Sequence, residues 1–228
     1  DCSAQRRYQK IIEEAPSVGL PESLVNSVRT AAVSLCTELK YFGAATVEFL
    51  VDVKHETFVF LEINARVQVE HPVTEAVTGI DIVREQIRIA RGEVLSFAQS
   101  DVKIVGHAVE CRINAENVSE DFRPSPGLIT DWVVPSGTGI RVDTCVFPGA
   151  VVSPYYDSLI AKIITHAENR ESAISLMSRA LAKLQVGGIS TTADLHIDIM
   201  NHEYFRTTPI TTKWLEESFL PNRSSNAH

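Results

Sequence analysis

The stretch FVFLEINARVQVEHPVTE, Phe58 to Glu75, constrains the fold most, because a strand-like apolar run opens directly into a row of polar side chains. Burying such groups without partners is costly, so the strand must end where charge is either used or solvated. Upstream, ATVEFLV (45–51) is a second strand-like run, and DVKHE links it to TFVFLEI (57–63). The two read as a β-hairpin with a loop of roughly five residues. Strand periodicity puts Glu62 and Asn64 on one face. A hairpin folded about His55 sets Glu48 opposite Glu62, and directly paired positions bring Cβ atoms to about 4.5–5.5 Å.

Two carboxylates that close repel unless a cation or a proton lies between them. With Asn64 they make an all-oxygen set, which suits Mg2+ better than zinc. The alternative leaves Glu48 on a solvated hairpin face, with Glu62 and Asn64 merely ending the strand. Beyond Asn64, Arg66, Gln68 and Glu70 alternate with Val67 and Val69. An extended segment aims that guanidinium, amide and carboxylate to one side. Arg66 can then clamp a small planar anion, and Glu70 near such a cation can serve as a general base. An internal Arg–Glu pair in a strand-to-helix connection is the competing account.

The rest of the chain frames this row. Residues 1–18 carry Arg6, Arg7 and Lys10 and then IIEEAP, which reads as a short strand stopped by Pro16. Pro21 begins a helix with Leu24, Val28, Ala31, Leu35 and Leu39 on one face, closed by Gly43. Asp81 caps a helix that Gly92 stops. After about residue 100 the composition changes: HAVECRI (107–113), GLITDWVV (127–134), GIRVDTCV (139–146) and LIAKIIT (159–165) read as strands. ESAISLMSRALAKL (171–184) and TADLHIDIMNH read as helices, and PNRSSNAH as a polar tail. The expected fold class is α+β, with a boundary near 95–106.

Arg112 sits on a strand where it can neutralise oxyanion charge, with a surface salt bridge as the alternative. Asp157 can position Arg112 or a substrate amide, or simply stabilise its own turn. The net charge of -8, from 29 acidic against 21 basic residues, argues against a general nucleic-acid or anionic-membrane surface. No apolar run reaches the ~18 residues of a membrane span. Cys2, Cys36, Cys111 and Cys145 form no CxxC pair, which points to free thiols in a reducing compartment, cytoplasmic or in a mitochondrial matrix or plastid.

DCSAQRRYQKIIEEAP, GAATVEFLV, FLEINARVQVEHPVTEAVTGID, GHAVECRINAE, PSPGLI and SPYYDSLIAKII occur in the order seen in the biotin carboxylase family, which the chain resembles from residue 1 to about 220. The family includes components of acetyl-CoA carboxylase, which serves fatty acid biosynthesis, and of pyruvate and propionyl-CoA carboxylases. The resemblance implies an ATP-grasp ligase that phosphorylates bicarbonate and carboxylates N1 of biotin on a carrier domain or protein. It implies ATP, Mg2+ or Mn2+, and carrier-linked biotin as ligands, and a carboxyltransferase component as partner.

Residue by residue, it makes Glu48 and Glu62 paired metal ligands with Asn64 beside them. Arg66 and Lys10 hold bicarbonate, Glu70 takes its proton, and the backbone of Val69 sits beside that base. Arg112 stabilises the biotin enolate oxygen, Asp157 lies near that pocket, and Gln5 and Tyr8 line the nucleotide site. Tyr8 stands where the family often has His, and GTG near Arg141 replaces a GGFG-like turn in a stretch used for homodimer formation.

On this reading residues 1–100 are the carboxy-terminal portion of an ATP-grasp domain, 101–220 the biotin carboxylase carboxy-terminal domain, and 221–228 a polar tail. An amino-terminal half with the nucleotide lid is then expected to be missing and to act as a partner. The isolated chain is expected to be inactive, and a non-catalytic interaction or scaffold module that binds that half or the carrier is the rival function.

Overall fold

The computed structural model describes residues 1–225. The chain is α+β and divides into two compact units: Asp1–Pro16 together with the chain from Val105 onward, and Ser17–Ile104. The expected boundary near 95–106 coincides with one of the two crossings. Residues 1–16 are the difference, because their strands hydrogen-bond into the sheet of the later segment.

That opening segment is a hairpin, not one strand: β1 (Ala4–Arg6) pairs antiparallel with β2 (Gln9–Ala15). Its turn places Arg7 (φ 47°) and Tyr8 (φ 66°) in the left-handed region that favours glycine. The helix α1 (Glu22–Glu38) starts after Pro21. The strands β3 (Thr46–Asp52) and β4 (Thr57–Asn64) form the expected hairpin. The Asp52 side chain accepts from the amides of Lys54 and His55 and so shapes the turn.

Next come α2 (His71–Thr78), with Pro72 in its first turn, and α3 (Ile82–Ala90), capped by Asp81 Oδ1 accepting from the Arg84 amide. The buried residues of the helices in this unit are Leu24, Pro72, Val73 and Val77, whereas Phe42, Val59, Phe60, Leu61 and Val94 are exposed.

The other unit is built on a five-stranded antiparallel sheet. β5 (His107–Asn114), β6 (Ile140–Thr144) and β7 (Leu159–Ala167) join β1 and β2 in the spatial order β1-β2-β5-β7-β6. Gly106 (φ 71°) leads into β5, and a Cβ there would collide with the Ala167 carbonyl. Val109, Cys111, Ile113 and Ile163 face a core completed by α4 (Arg170–Leu181), α5 (Ala193–Asn201) and α6 (Glu203–Thr207). Ile174, Met177 and Leu181 supply the buried stripe of α4, as their helical spacing predicts.

GLITDWVV is not one strand. Gly127–Leu128 and Trp132–Val133 are short bridges in separate two-stranded sheets. The main chain between them is spent elsewhere: the Thr130 amide bonds to Gly187, and the Gly187 amide to Asp131. The first residues of the expected polar tail belong to the helix α7 (Leu220–Ser225). Residues 226–228 of that tail lie outside the described residues. Among the described residues no helix is long and apolar enough to cross a membrane.

Candidate functional site

In the unit Ser17–Ile104, strand pairing does what the spacing predicted. Glu48 lies opposite Glu62, and Thr46 opposite Asn64. The register shifts between Glu48 and Phe49, a bulge of the kind that re-aims side chains beside functional sites. Asn64 Nδ2 donates to Glu62 Oε1 at 2.7 Å, which leaves the amide oxygen of Asn64 as an oxygen donor. Gln68 Nε2 donates to Glu48 Oε1 at 3.2 Å, and Arg66 Nη1 donates to Gln68 Oε1 at 3.1 Å.

One hydrogen-bonded row therefore runs from Glu48 through Gln68 to Arg66. Sequence reasoning places Gln68 in the alternating row between Arg66 and Glu70 but gives it no role, and its role is to join a carboxylate to the guanidinium. Arg66 and Glu62 are exposed, so their charge is available at the surface; Glu48, Asn64 and Glu70 are half-buried. Glu70 is the residue preceding α2, and its carbonyl accepts the Val73 amide. The half-buried Val69 comes just before it. His71 Nδ1 bonds to the Gln68 carbonyl at 2.8 Å and so closes the turn.

Two carboxylates and an amide oxygen fit a hard divalent cation that shares its remaining positions with phosphate and water. Among the described residues no cluster of three or more His, Cys, Asp or Glu side chains is placed to hold a metal. A cation here would accordingly use Glu48, Glu62 and Asn64 and take its other ligands from elsewhere.

The remaining candidates belong to the other unit. Gln5 and Lys10 are cross-strand partners on the β1–β2 hairpin, so their side chains are neighbours on one face. Gln5 Nε2 donates to the Cys2 carbonyl at 3.1 Å. Tyr8, at the hairpin tip, is 89% exposed. Arg112 is not a surface salt bridge. Its guanidinium meets fully buried Glu13, with Nη2 at 2.5 Å and Nε at 2.6 Å from Oε1. Glu13 pairs across the strands with Glu110, and Arg112 with Lys162, so these polar side chains share the face of the sheet opposite the core.

Asp157 is exposed, and its Oδ1 accepts the Leu159 amide at 2.8 Å, the turn-forming role expected locally. On the other face of β2, Glu14 is held by His107 Nε2 at 2.9 Å and by Arg170 at 2.7 and 2.9 Å. Burial pushes its carboxyl up, but the His107 and Arg170 hydrogen bonds outweigh it and hold the group below the usual range.

Comparison with known proteins places the chain among carboxylases. A family model described as the biotin carboxylase C-terminal domain matches residues 110–217. One described as the carbamoyl-phosphate synthase L chain ATP binding domain matches residues 1–98. Biotin carboxylase 1 of Bacillus subtilis is 48% identical over 216 residues, covering 95% of this chain and 48% of that protein. The biotin carboxylase of a Nostoc species is 47% identical over 217 residues, covering 95% and 48%.

Among solved structures, the biotin carboxylase domain dimer of the Hydrogenobacter thermophilus 2-oxoglutarate carboxylase, in complex with MgADP, ADP and bicarbonate, superposes with a TM-score of 0.92. It is 46% identical, over 95% of this chain and 48% of that one. The chain spans about half the length of the curated relatives it matches. The expectation of a missing amino-terminal ATP-grasp half acting as a partner is corrected by the match at residues 1–98, which puts ATP-grasp sequence in the chain itself. With ATP-binding and carboxylase C-terminal sequence in one polypeptide, the chain belongs to the biotin carboxylase family of ATP-grasp proteins.

Proposed function

We propose that the chain serves an ATP- and bicarbonate-dependent biotin carboxylase reaction, in which carboxyphosphate forms and N1 of carrier-linked biotin is carboxylated. The observation that carries this reading is the bonded row at the exit of β4, where Glu48 faces Glu62 and Gln68 joins Glu48 to Arg66. The division near residue 100 into an ATP-grasp portion and a biotin carboxylase carboxy-terminal domain is supported by the bounds of the two family models.

Glu48, Glu62 and Asn64 hold Mg2+ or Mn2+, which when bound offsets charge on the phosphoryl group in transfer. Arg66 offers a planar guanidinium to bicarbonate, and Lys10, paired with Gln5 on the β1–β2 hairpin, is a separate cation suited to an anion. Glu70 removes the bicarbonate proton, so that a bicarbonate oxygen attacks the γ-phosphorus while the bond to ADP breaks. The Val69 main chain borders that base. Gln5 and Tyr8 contact the nucleotide. Arg112, its guanidinium fixed by Glu13, stabilises the enolate oxygen of biotin during carboxyl transfer, with Asp157 bordering the biotin. The bicarbonate-bound, MgADP-bound dimer of the Hydrogenobacter relative supports bicarbonate as substrate and a homodimer as assembly.

The test is ADP formation from MgATP by the full chain, with and without bicarbonate and free biotin. ADP released only when bicarbonate is present supports the reading. Carrier binding with no nucleotide response would replace it with the interaction-module function.

A further inference from the structure

The pairing of β2 with β5 ends at Ile12 opposite Cys111. Beyond that point the main chain of β5 still needs partners, because buried backbone groups are rarely left unmade. The start of α5 supplies them. The Asn114 amide donates to Thr192 Oγ1 at 3.0 Å, and the Thr192 amide donates to the Asn114 carbonyl at 3.0 Å. The Arg112 carbonyl accepts two side-chain bonds, from Thr192 Oγ1 at 3.1 Å and from His196 Nε2 at 2.7 Å. A helix end thus takes the place of a strand beside Arg112.

His196 is fully buried, and its other ring nitrogen, Nδ1, has no hydrogen-bond partner. A carbonyl only accepts, so Nε2 carries the hydrogen and Nδ1 is a bare acceptor in the core. Leaving such an orphan in the core is a cost that an aliphatic side chain at this position would avoid. What the imidazole supplies in return is one contact, the bond to the Arg112 carbonyl. Burial also pushes the ring down to about 4, against a smaller upward pull from that carbonyl, so it stays neutral through the physiological range.

We propose that His196 is a positioning residue for Arg112, fixing the main chain of that residue while Glu13 fixes its guanidinium. Arg112 is then held at both ends before any ligand arrives, the preorganisation that an oxyanion partner requires. This rests on the role given to Arg112 above, but its first test does not.

The first test is hydrogen exchange at the Arg112 Nε–H in the 15N-labelled full chain. His196→Leu accelerates it by about tenfold, the worth of one hydrogen bond, while the core amides of α4 keep their protection. His196→Gln, whose amide donates to the same carbonyl, restores the slow exchange. Unchanged exchange in His196→Leu, or equal acceleration of Arg112 and every core amide, overturns the proposal. Where His196→Leu does not fold, His196→Asn, too short to reach the carbonyl, is read the same way.

The second measurement is turnover. His196→Leu lowers kcat for biotin carboxylation by about tenfold for the same lost bond and leaves the KM for ATP near its wild-type value; a KM change alone counts against positioning. A wild-type chain with a protected Arg112 Nε–H but no bicarbonate-dependent ADP formation removes the carboxylase reading and leaves the positioning role standing.

Discussion

Gln68 donates from Nε2 to Glu48 Oε1 across 3.2 Å, tying the segment before α2 to the strand β3 on the far side of the hairpin. The same side chain accepts from Arg66 at 3.1 Å. It therefore orients one carboxylate assigned to the metal and the guanidinium assigned to bicarbonate. Gln68→Leu is expected to weaken Mn2+ binding by about 10–100-fold, the usual cost of losing a partner that orients a metal ligand. Titration of the full chain with Mn2+, followed by the loss of its free-ion EPR signal, checks this; wild-type affinity in the variant would remove Gln68 from the site.

Glu70→Gln keeps the shape of the side chain and removes its basicity. Nucleotide affinity is expected to hold while bicarbonate-dependent turnover falls by about 100-fold or more, the range of general-base catalysis. Steady-state ADP formation alongside calorimetric ADP binding separates the two effects. Near-normal turnover would exclude Glu70 as the base.

The Arg112–Glu13 pair gives a stability prediction in which the paired change costs less than the single one. Glu13 is fully buried and the Arg112 side chain is 13% exposed. Glu13→Leu alone is expected to cost about 3–5 kcal/mol, because it breaks a buried ion pair by removing one partner. Adding Arg112→Met should recover most of that loss while removing the guanidinium that the proposed carboxyl transfer uses. Urea unfolding of the two single variants and the double variant completes the cycle.

Acid should destabilise the unit that contains β5 in two stages. His196 has its pKa depressed to about 4 from the ordinary 6.5, so the unfolded chain takes up the proton first. Its stability contribution is intact above pH 6.5 and is lost as pH falls toward 4, by about 3 kcal/mol in all. Glu14, lowered through its bonds to His107 and Arg170, adds a loss at lower pH, as acid protonates the carboxylate through its folded value. Unfolding free energies against pH check the order: His196→Gln should flatten the upper stage and leave the Glu14 stage in place.

Much of the fold and half of the site logic could be read in the sequence because period-two alternation is a short-range signal. The Glu48–Glu62 register follows from a hairpin whose centre is marked by DVKHE, and the structure has that pairing. The hairpin at Arg7 and Tyr8 was hidden for a physical reason. Its turn uses two non-glycine residues at positive φ, so it lacks the Asn-Gly or Asp-Gly mark of such turns. The Arg112–Glu13 and Arg112–His196 contacts join residues 99 and 84 positions apart, and no local pattern encodes such pairings. GLITDWVV failed differently: its composition is strand-like, but its backbone bonds go to Gly187 and Ala150 in irregular connections.

In the reaction proposed above, a bicarbonate oxygen attacks the γ-phosphorus of ATP at Glu48, Glu62, Arg66 and Glu70. Turnover of the full chain with 18O-bicarbonate, MgATP and biotin, followed by mass analysis of the phosphate released, tests this most directly. The expected product is phosphate carrying one 18O atom from bicarbonate, lost in Glu70→Gln. Phosphate that gains its oxygen from solvent water, with ADP formed regardless of bicarbonate, would contradict it.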